Sequence, residues 1–199
     1  MTKKLTRKFY CQPSLRVAQE LLGKYLIRRI GQKKLIGKIV ETEAYLGRQD
    51  KASHAFGRMT ARNEIMFGPA GFWYVYLIYG IFSCLNVVTQ EEGFPSAILI
   101  RAMEPIEGIE MMKRLRKKSD LRDLSSGPGK LCQALKIDRR LNKTKAFGRD
   151  CSLWIEEGKR PDNFKIGTSK RIGVDYAGPY WANKKWRFFI KDNQFVSRK

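Results

Sequence analysis

The order of apolar and polar positions along the chain predicts short strands joined by turns, together with a few helices. Period-two or continuous apolar runs predict strands over residues 24–30, 35–46, 72–78, 81–89 and 97–102, with shorter pieces at 153–155, 167–173 and 186–190. Helical spacing with end signals predicts helices over 9–23, 106–117 and from 125 to about 136. Because short turns link most strands, the pattern predicts a mixed α/β (α+β) fold with an antiparallel sheet.

One predicted strand carries carboxylates into an apolar run, within the stretch Ile39–Gly47 (IVETEAYLG). Strand side chains alternate between two faces, so Glu41, Glu43 and Tyr45 are expected to share one face. The pattern alone leaves two interpretations, a solvated edge or a catalytic carboxylate. We interpret Glu41 as structural.

A second stretch, Phe72–Gly80, is rich in aromatic residues and ends at a glycine. Aromatic residues fall on both faces of the predicted strand, which predicts a central, buried strand with Trp73 and Tyr74 in the core. Tyr79 precedes Gly80 in a predicted tight turn, where burial is difficult to arrange. An exposed ring on a rigid turn is the kind of wedge that proteins insert between stacked bases.

Length and composition predict one domain over residues 1–199, with residues 1–8 and 191–199 loosely ordered. No apolar window is long enough to span a bilayer, and the basic N-terminus lacks the features of a secretory signal. The four cysteines are dispersed without a C-x-x-C pair, which indicates a reducing compartment. The expected location is cytoplasmic, in the bacterial cytosol or nucleoid, or nuclear in a eukaryote.

The formal net charge is +21, and its distribution is uneven. Residues 1–40 and 111–149 are strongly basic, whereas acidic residues outnumber basic ones between 41 and 110. Basic flanks around a less basic centre favour binding of a polyanion. The sequence contains no basic amphipathic helix of the kind that binds membrane surfaces, so a membrane is the less favoured partner. We expect nucleic acid as the partner, with Arg62 and Lys130 as candidate contacts to the phosphate backbone.

The residues that metal and triad chemistry would need are scarce. His54 is the only histidine, and neither the zinc-deaminase pattern nor a nucleophile elbow occurs. The residues therefore argue against a zinc site and against a serine or cysteine triad. His54 is either a hydrogen-bonding loop residue or a wall of a pocket.

Several segments, in order along almost the whole chain, resemble the alkyladenine DNA glycosylases, the family also called 3-methyladenine or methylpurine DNA glycosylases. They are VETEAYL (40–46), Ser53-His54, Arg62-Asn63 through Met66-Phe67, YVY with Tyr79-Gly80, Cys84-Leu85-Asn86, IRAMEP (100–105) and SGPGKLC (126–132). The chain departs from the family pattern after Gly47, where it reads Arg-Gln-Asp, although Asp50 and His54 keep their spacing from Tyr45.

This resemblance implies a monomeric enzyme, without metal or cofactor, that removes damaged purines from duplex DNA. The implied substrates are 3-methyladenine, 7-methylguanine and possible further bases such as hypoxanthine and ethenoadenine; each is flipped out and cut from its sugar, leaving an abasic site. The implied fold is a single compact domain, a curved antiparallel sheet surrounded by helices, with a protruding β-hairpin that enters the minor groove.

By position, the resemblance implies that Glu43 is the general base that activates water and that Arg101 lies near that water and the DNA backbone. Tyr45, His54 and Tyr76 match the walls around the flipped base.

Two further residues match the family by position. Tyr79 corresponds to the residue that fills the vacated stack, and Asn86 to the one that disfavours the 2-amino group of guanine. Two alternatives remain open at this point: a non-catalytic nucleic-acid-binding protein, and a glycosylase coupled to a lyase through a lysine Schiff base.

Overall fold

The computed structural model describes residues 3–158 and 164–197, and within them eight strands form one sheet around a single long central strand. The strands are β1 (Tyr25–Ile30), β2 (Lys33–Leu46), β3 (Trp73–Ile78), β4 (Phe82–Val88), β5 (Ser96–Glu107), β6 (Leu153–Glu156), β7 (Ile166–Ser169) and β8 (Arg187–Ile190). The α-helices are α1 (Arg7–Tyr10), α2 (Ser14–Glu20), α3 (Ile109–Arg116), α4 (Pro128–Ala134) and α5 (Gly178–Ala182), and short 3₁₀ turns cover Glu64–Phe67, Arg139–Leu141 and Asp175–Ala177.

The strands form one curled antiparallel sheet in the order β3-β4-β5-β2-β1-β6, with β8 paired to both β2 and β7. Strand β2 is the centre of this sheet because its fourteen residues pair with β1, β5 and β8 in turn. Its middle residues, Glu41 to Glu43, are paired on both sides, by β5 and by β8. The carboxylates found in the sequence therefore lie on the most enclosed strand, and not on a solvated edge.

Local turn chemistry explains the two hairpins that the sequence predicts. Gly31, at φ 57°, makes the turn between β1 and β2. Between β3 and β4, Tyr79 (φ 52°) and Gly80 (φ 72°) are both left-handed, and the N–H of Ile81 donates to the carbonyl of Ile78. Two left-handed central residues are typical of the type I′ turn, whose twist matches that of paired strands.

Helices cover one face of the sheet and form the main core. The apolar side chains of α2 and α4 pack there against inward residues of β2 to β5, among them Trp73, Leu85, Ile98 and Ile100. The hydroxyl of Thr42 on β2 donates to the carbonyl of Ala18 in α2, at 2.8 Å. This face is closed, so any site must use the opposite face.

The opposite face is covered by two long connections, residues 47–71 and 170–186. Small apolar clusters attach them: Met66 and Phe67 pack near Tyr74, and Val174 packs near Tyr45. Between these connections and the sheet a cavity remains. The fold thus confirms the predicted single α+β domain with a curved antiparallel sheet and a projecting hairpin.

Several predicted boundaries were wrong. The helix expected over 9–23 is two short helices, because Pro13 interrupts it. Strand β3 is at the end of the sheet and not in its centre; its outer edge is instead covered by chain around Lys143 and Thr144, which bonds to the backbone of Trp73. The strand expected over 167–173 ends at Ser169.

Both ends of the described chain make buried contacts that the sequence did not reveal. Leu5 joins the main core, and Phe195 packs on Val40 and Ala102. The backbone N–H and hydroxyl of Ser197 both donate to the carboxylate of Glu41. Across residues 3–158 and 164–197, the helices are too short or too polar to cross a bilayer.

Candidate active site

The cavity on the open face of the sheet has a volume of about 350 Å³, in the range typical of small-molecule sites. It collects residues from β2 to β5, from the 47–71 connection and from the 170–186 connection. Seven of the predicted site residues line it, namely Tyr45, His54, Arg62, Tyr76, Tyr79, Asn86 and Arg101. The tertiary fold therefore brings together residues spread over almost sixty positions of sequence.

Glu43 lies directly behind the cavity wall and has no exposed surface. Its Oε2 accepts hydrogen bonds from the hydroxyl of Tyr45 at 2.8 Å and from Arg101 at 3.2 Å. Its Oε1 accepts from the backbone N–H of Ile172 at 2.8 Å. The residues of all three donors line the cavity, whereas Glu43 itself does not.

Arg101 links the two carboxylates that the sequence places on one face of β2. Besides its bond to Glu43, its Nε lies 3.3 Å from Glu41 Oε1, as an ion pair without hydrogen-bond alignment. Burial opposes the charge of Arg101, but Glu43 and Glu41 outweigh it and raise the pKa of the guanidinium. Glu41 is also bound by Arg187 at 2.6 Å, so its carboxylate is fully occupied by structural partners.

His54 and two tyrosines of β3 form the aromatic side of the cavity. The imidazole of His54 lies edge-on to the ring of Tyr76, with centroids 4.5 Å apart, and its Nδ1 shares a 2.8 Å hydrogen bond with the hydroxyl of Tyr74. Burial, with the nearby charge of Arg62, lowers the pKa of His54 from 6.5 to about 4. The imidazole is therefore neutral at physiological pH.

The phenols around the cavity also stay uncharged. Burial raises the pKa of Tyr74 to about 12, and burial with the thiol of Cys84 raises the pKa of Tyr76 further. The pKa of Tyr45 is raised well above its ordinary value by burial and then by the charge of Glu43. The result is a slot of neutral aromatic groups, with the carboxylate of Glu43 behind it and the guanidinium groups of Arg62 and Arg101 in its lining.

Tyr79 projects from the β3–β4 turn at the rim of the cavity, with 86% of its surface exposed. Ile81, in the same turn, is 71% exposed. The left-handed conformation of Tyr79 is one that a bulky residue rarely adopts, and the strands on either side hold it in place. Packing within the protein therefore does not explain why a tyrosine occupies this position.

Asn86 and Arg62 occupy the sides of the cavity. The side-chain amide of Asn86 is buried and donates to the carbonyl of Tyr74 at 3.2 Å, which fixes it against β3. The guanidinium of Arg62 lies 5.3 Å from the ring centroid of Tyr76 and 3.5 Å from the carbonyl of Leu77, close to the hairpin.

Lys130 does not join the cavity. Its ammonium forms an ion pair with Asp123 in the segment before α4, although the neighbouring Pro128 does line the cavity. Any phosphate that binds Lys130 must compete with that carboxylate.

Sequence reasoning missed the wall of the cavity that faces β3. Ile172, Gly173, Val174 and Tyr176 line it. The first two were assigned only to the strand predicted over 167–173, and the other two were assigned to no element. Sequence reasoning also missed the buried pair of Asp50 and Arg171 beneath this wall. The retained spacing of Asp50 was the one available signal, and nothing in the sequence identified its partner among so many arginines.

No group of three or more His, Cys, Asp or Glu side chains within the described ranges is arranged to hold a metal ion. The donors around Glu43 are two side chains and one backbone N–H. This chemistry suits an anion that activates water or stabilises a cation.

The family model of methylpurine-DNA glycosylases matches residues 8–194 of this chain. The chain belongs to the methylpurine-DNA glycosylase family. It is an enzyme of this class, a hydrolase of N-glycosyl bonds in DNA, so the non-catalytic alternative is set aside.

Curated relatives agree over nearly their full length. A protein of Methanocella arvoryzae is 50% identical over 98% of this chain and 96% of its own length. Proteins of Alkaliphilus oremlandii and Clostridium acetobutylicum are 47% and 48% identical, over 98% of this chain and 100% and 97% of their own lengths. All three are named as candidate 3-methyladenine DNA glycosylases. In this glycosylase the matched region contains the whole cavity and the hairpin at its rim.

Proposed function

We propose that this glycosylase excises alkylated purines from duplex DNA by flipping the nucleotide into the cavity, where Glu43 activates the attacking water. The observation that supports the proposal best is the position of Glu43, held by Tyr45 and Arg101 at the base of a neutral aromatic slot. The substrates proposed are 3-methyladenine and 7-methylguanine, with hypoxanthine and ethenoadenine as further candidates.

Glu43 keeps one acceptor position that the described residues do not fill. A carboxylate offers about four acceptor positions, and the described residues fill three of those of Glu43. Because Glu43 has no exposed surface, we propose that Tyr45 or Arg101 moves aside to admit a water to the remaining position. Such a water would lose its proton to Glu43 as it attacks C1′, and the anion would stabilise the positive charge that develops on the sugar.

The aromatic slot suits a flipped purine. A stacked base hides its glycosidic bond, and extruding it costs roughly a few kcal/mol. Contact with Tyr45, His54 and Tyr76 offsets part of that cost, roughly 1–3 kcal/mol per stacked base. Tyr79, exposed at the rim, fills the gap left in the duplex. A neutral His54 also accepts a cationic purine without charge repulsion.

The chemistry of the leaving group explains why one carboxylate suffices. A purine alkylated at N3 or N7 is positively charged and leaves as a neutral base, so no strong acid is needed, unlike the two carboxylates of sugar hydrolases. Glu41 is bound by Arg187 and Ser197 and is not available as that acid. The fixed amide of Asn86 lies in the cavity wall and is proposed to disfavour the 2-amino group of guanine, so 7-methylguanine, which carries that group, is expected to be a poorer substrate than 3-methyladenine.

Hydrolysis by water is favoured over Schiff-base chemistry. Among the described residues that line the cavity there is no lysine, although the whole chain is rich in them. Borohydride added during the reaction is therefore expected to trap no covalent complex of protein and DNA.

The experiment that tests the proposal replaces Glu43 by Gln and measures base release from a methylated duplex in single turnover. Loss of a general base typically lowers the rate about 10²–10⁴-fold, whereas duplex affinity is expected to persist. Glu104→Gln is the matched control, since Glu104 pairs with Lys38 outside the cavity. Release by Glu43→Gln at the wild-type rate would reject the role of Glu43.

A further inference from the structure

An ion pair that does not itself line the cavity lies beneath two of its walls. Asp50 and Arg171 are both without side-chain exposure, and the two terminal nitrogens of Arg171 bind the two carboxylate oxygens of Asp50, at 2.5 and 2.9 Å. A planar guanidinium that meets a carboxylate in this two-fold manner fixes both distance and orientation.

Asp50 ties the pair to the first connection. Its carboxylate also accepts from the backbone N–H of Leu46, the last residue of β2, at 3.2 Å, and from that of Ala52 at 3.0 Å. Ala52 lines the cavity, and His54 follows two residues later. The position of His54 along the cavity wall therefore depends on a loop whose start is held by Asp50.

Arg171 ties the pair to the second connection and to β2. Its guanidinium donates to the carbonyls of Ala44 and Trp181, at 2.9 and 3.2 Å. The next residue, Ile172, gives Glu43 its backbone hydrogen bond and starts the wall that continues to Tyr176. A displacement of Arg171 would therefore move the donor to Glu43 and the wall together.

The same guanidinium supports the ring of Tyr45. It lies 4.8 Å from the centroid of Tyr45 and 5.0 Å from that of Trp186, within the range of cation–π contact. The buried cation therefore holds the ring of Tyr45, a residue that also lines the cavity and donates a hydrogen bond to Glu43.

We propose that Asp50 and Arg171 act as a positioning pair, the clasp, which sets the width of the base cavity and the alignment of Tyr45 and Glu43. The clasp acts through other residues and touches no substrate. The inference rests on the proposed function for the nature of the captured base, but its test can be read without base release.

The test measures capture of a flipped base separately from chemistry. A duplex that contains ethenoadenine, a fluorescent purine, reports capture through the change in emission when the base leaves the stack. Arg171→Lys keeps the positive charge but loses the paired hydrogen bonds to the two carboxylate oxygens of Asp50. Asp50→Asn with Arg171→Gln removes both charges together, so no unpaired buried charge is left to unfold the protein.

Both variants are expected to remain folded and to bind a lesion-free duplex as the wild type does. Their capture constant, or their single-turnover rate, is expected to fall by about 10²-fold, because small displacements at a reacting centre have effects of that size. The matched control is Lys24→Gln with Glu157→Gln, an ion pair 133 positions apart in sequence that lies away from the cavity. The control is expected to change neither quantity.

Wild-type capture and wild-type rates in both folded clasp variants would overturn the inference. A fall in the folded fraction alone, with normal capture per folded molecule, would reduce the pair to a purely structural role and would equally overturn it. If wild-type protein captures the base but releases none, the proposed function fails while the clasp is still tested through capture.

Discussion

The single histidine allows the electrostatics of the cavity to be measured directly. His54 has its pKa lowered from 6.5 to about 4 by burial and by the charge of Arg62. The perturbation is a change of pH from 7 to 5, compared between the wild type and His54→Asn, whose side-chain amide can also form a hydrogen bond with the hydroxyl of Tyr74.

The magnitude follows from proton linkage. A lowered pKa means that the folded state favours neutral His54, so its contribution to stability is present above pH 6.5 and is lost as the pH falls towards 4. The full shift corresponds to roughly 3 kcal/mol, and the part lost between pH 7 and pH 5 is roughly 2 kcal/mol.

Two measurements test this reasoning. Urea unfolding at pH 7 and pH 5 gives the free energy of unfolding of each protein, and the difference of differences isolates His54, since the carboxylates are common to both. Proton NMR of the only imidazole in the chain gives its pKa without further assignment.

The prediction has a clear refutation. Equal losses of stability in the wild type and in His54→Asn, or a titration of the imidazole near 6.5, would show that the cavity does not keep His54 neutral. The charge state of His54 would then not explain how the cavity accepts a cationic purine.

Two further predictions concern contact with DNA. Tyr79→Ala should change the free energy of unfolding by less than about 0.5 kcal/mol, since the ring is exposed. It should weaken capture of a lesion by about tenfold or more, as expected for roughly 1–3 kcal/mol of stacking. Unchanged capture, measured by fluorescence, would exclude the wedge role. Asp123→Asn should release Lys130 from its ion pair and allow it to contact a phosphate. The slope of log duplex affinity against log salt concentration should then become steeper by about one unit. An unchanged slope in a salt titration would show that Lys130 contacts no phosphate.

The sequence determined the parts of this protein that depend on neighbouring residues. Period-two alternation placed Glu43 and Tyr45 on one face, and the structure joins their side chains by a hydrogen bond. The pair Tyr79-Gly80 predicted an exposed turn, because its chemistry is local and leaves no neighbour to bury the ring. The order of family motifs carried the identity of the enzyme.

Only the tertiary structure decided how the cavity is closed. The clasp joins residues 121 positions apart, and Glu41 is held by Ser197 from 156 positions away. Periodicity and turn signals cannot select such partners, because many arginines have the same local pattern and only the folded geometry brings one guanidinium within reach of Asp50. For the same reason the sequence placed Glu43 beside the slot, whereas the fold places it behind Tyr45 and Arg101, within one hydrogen bond of the cavity.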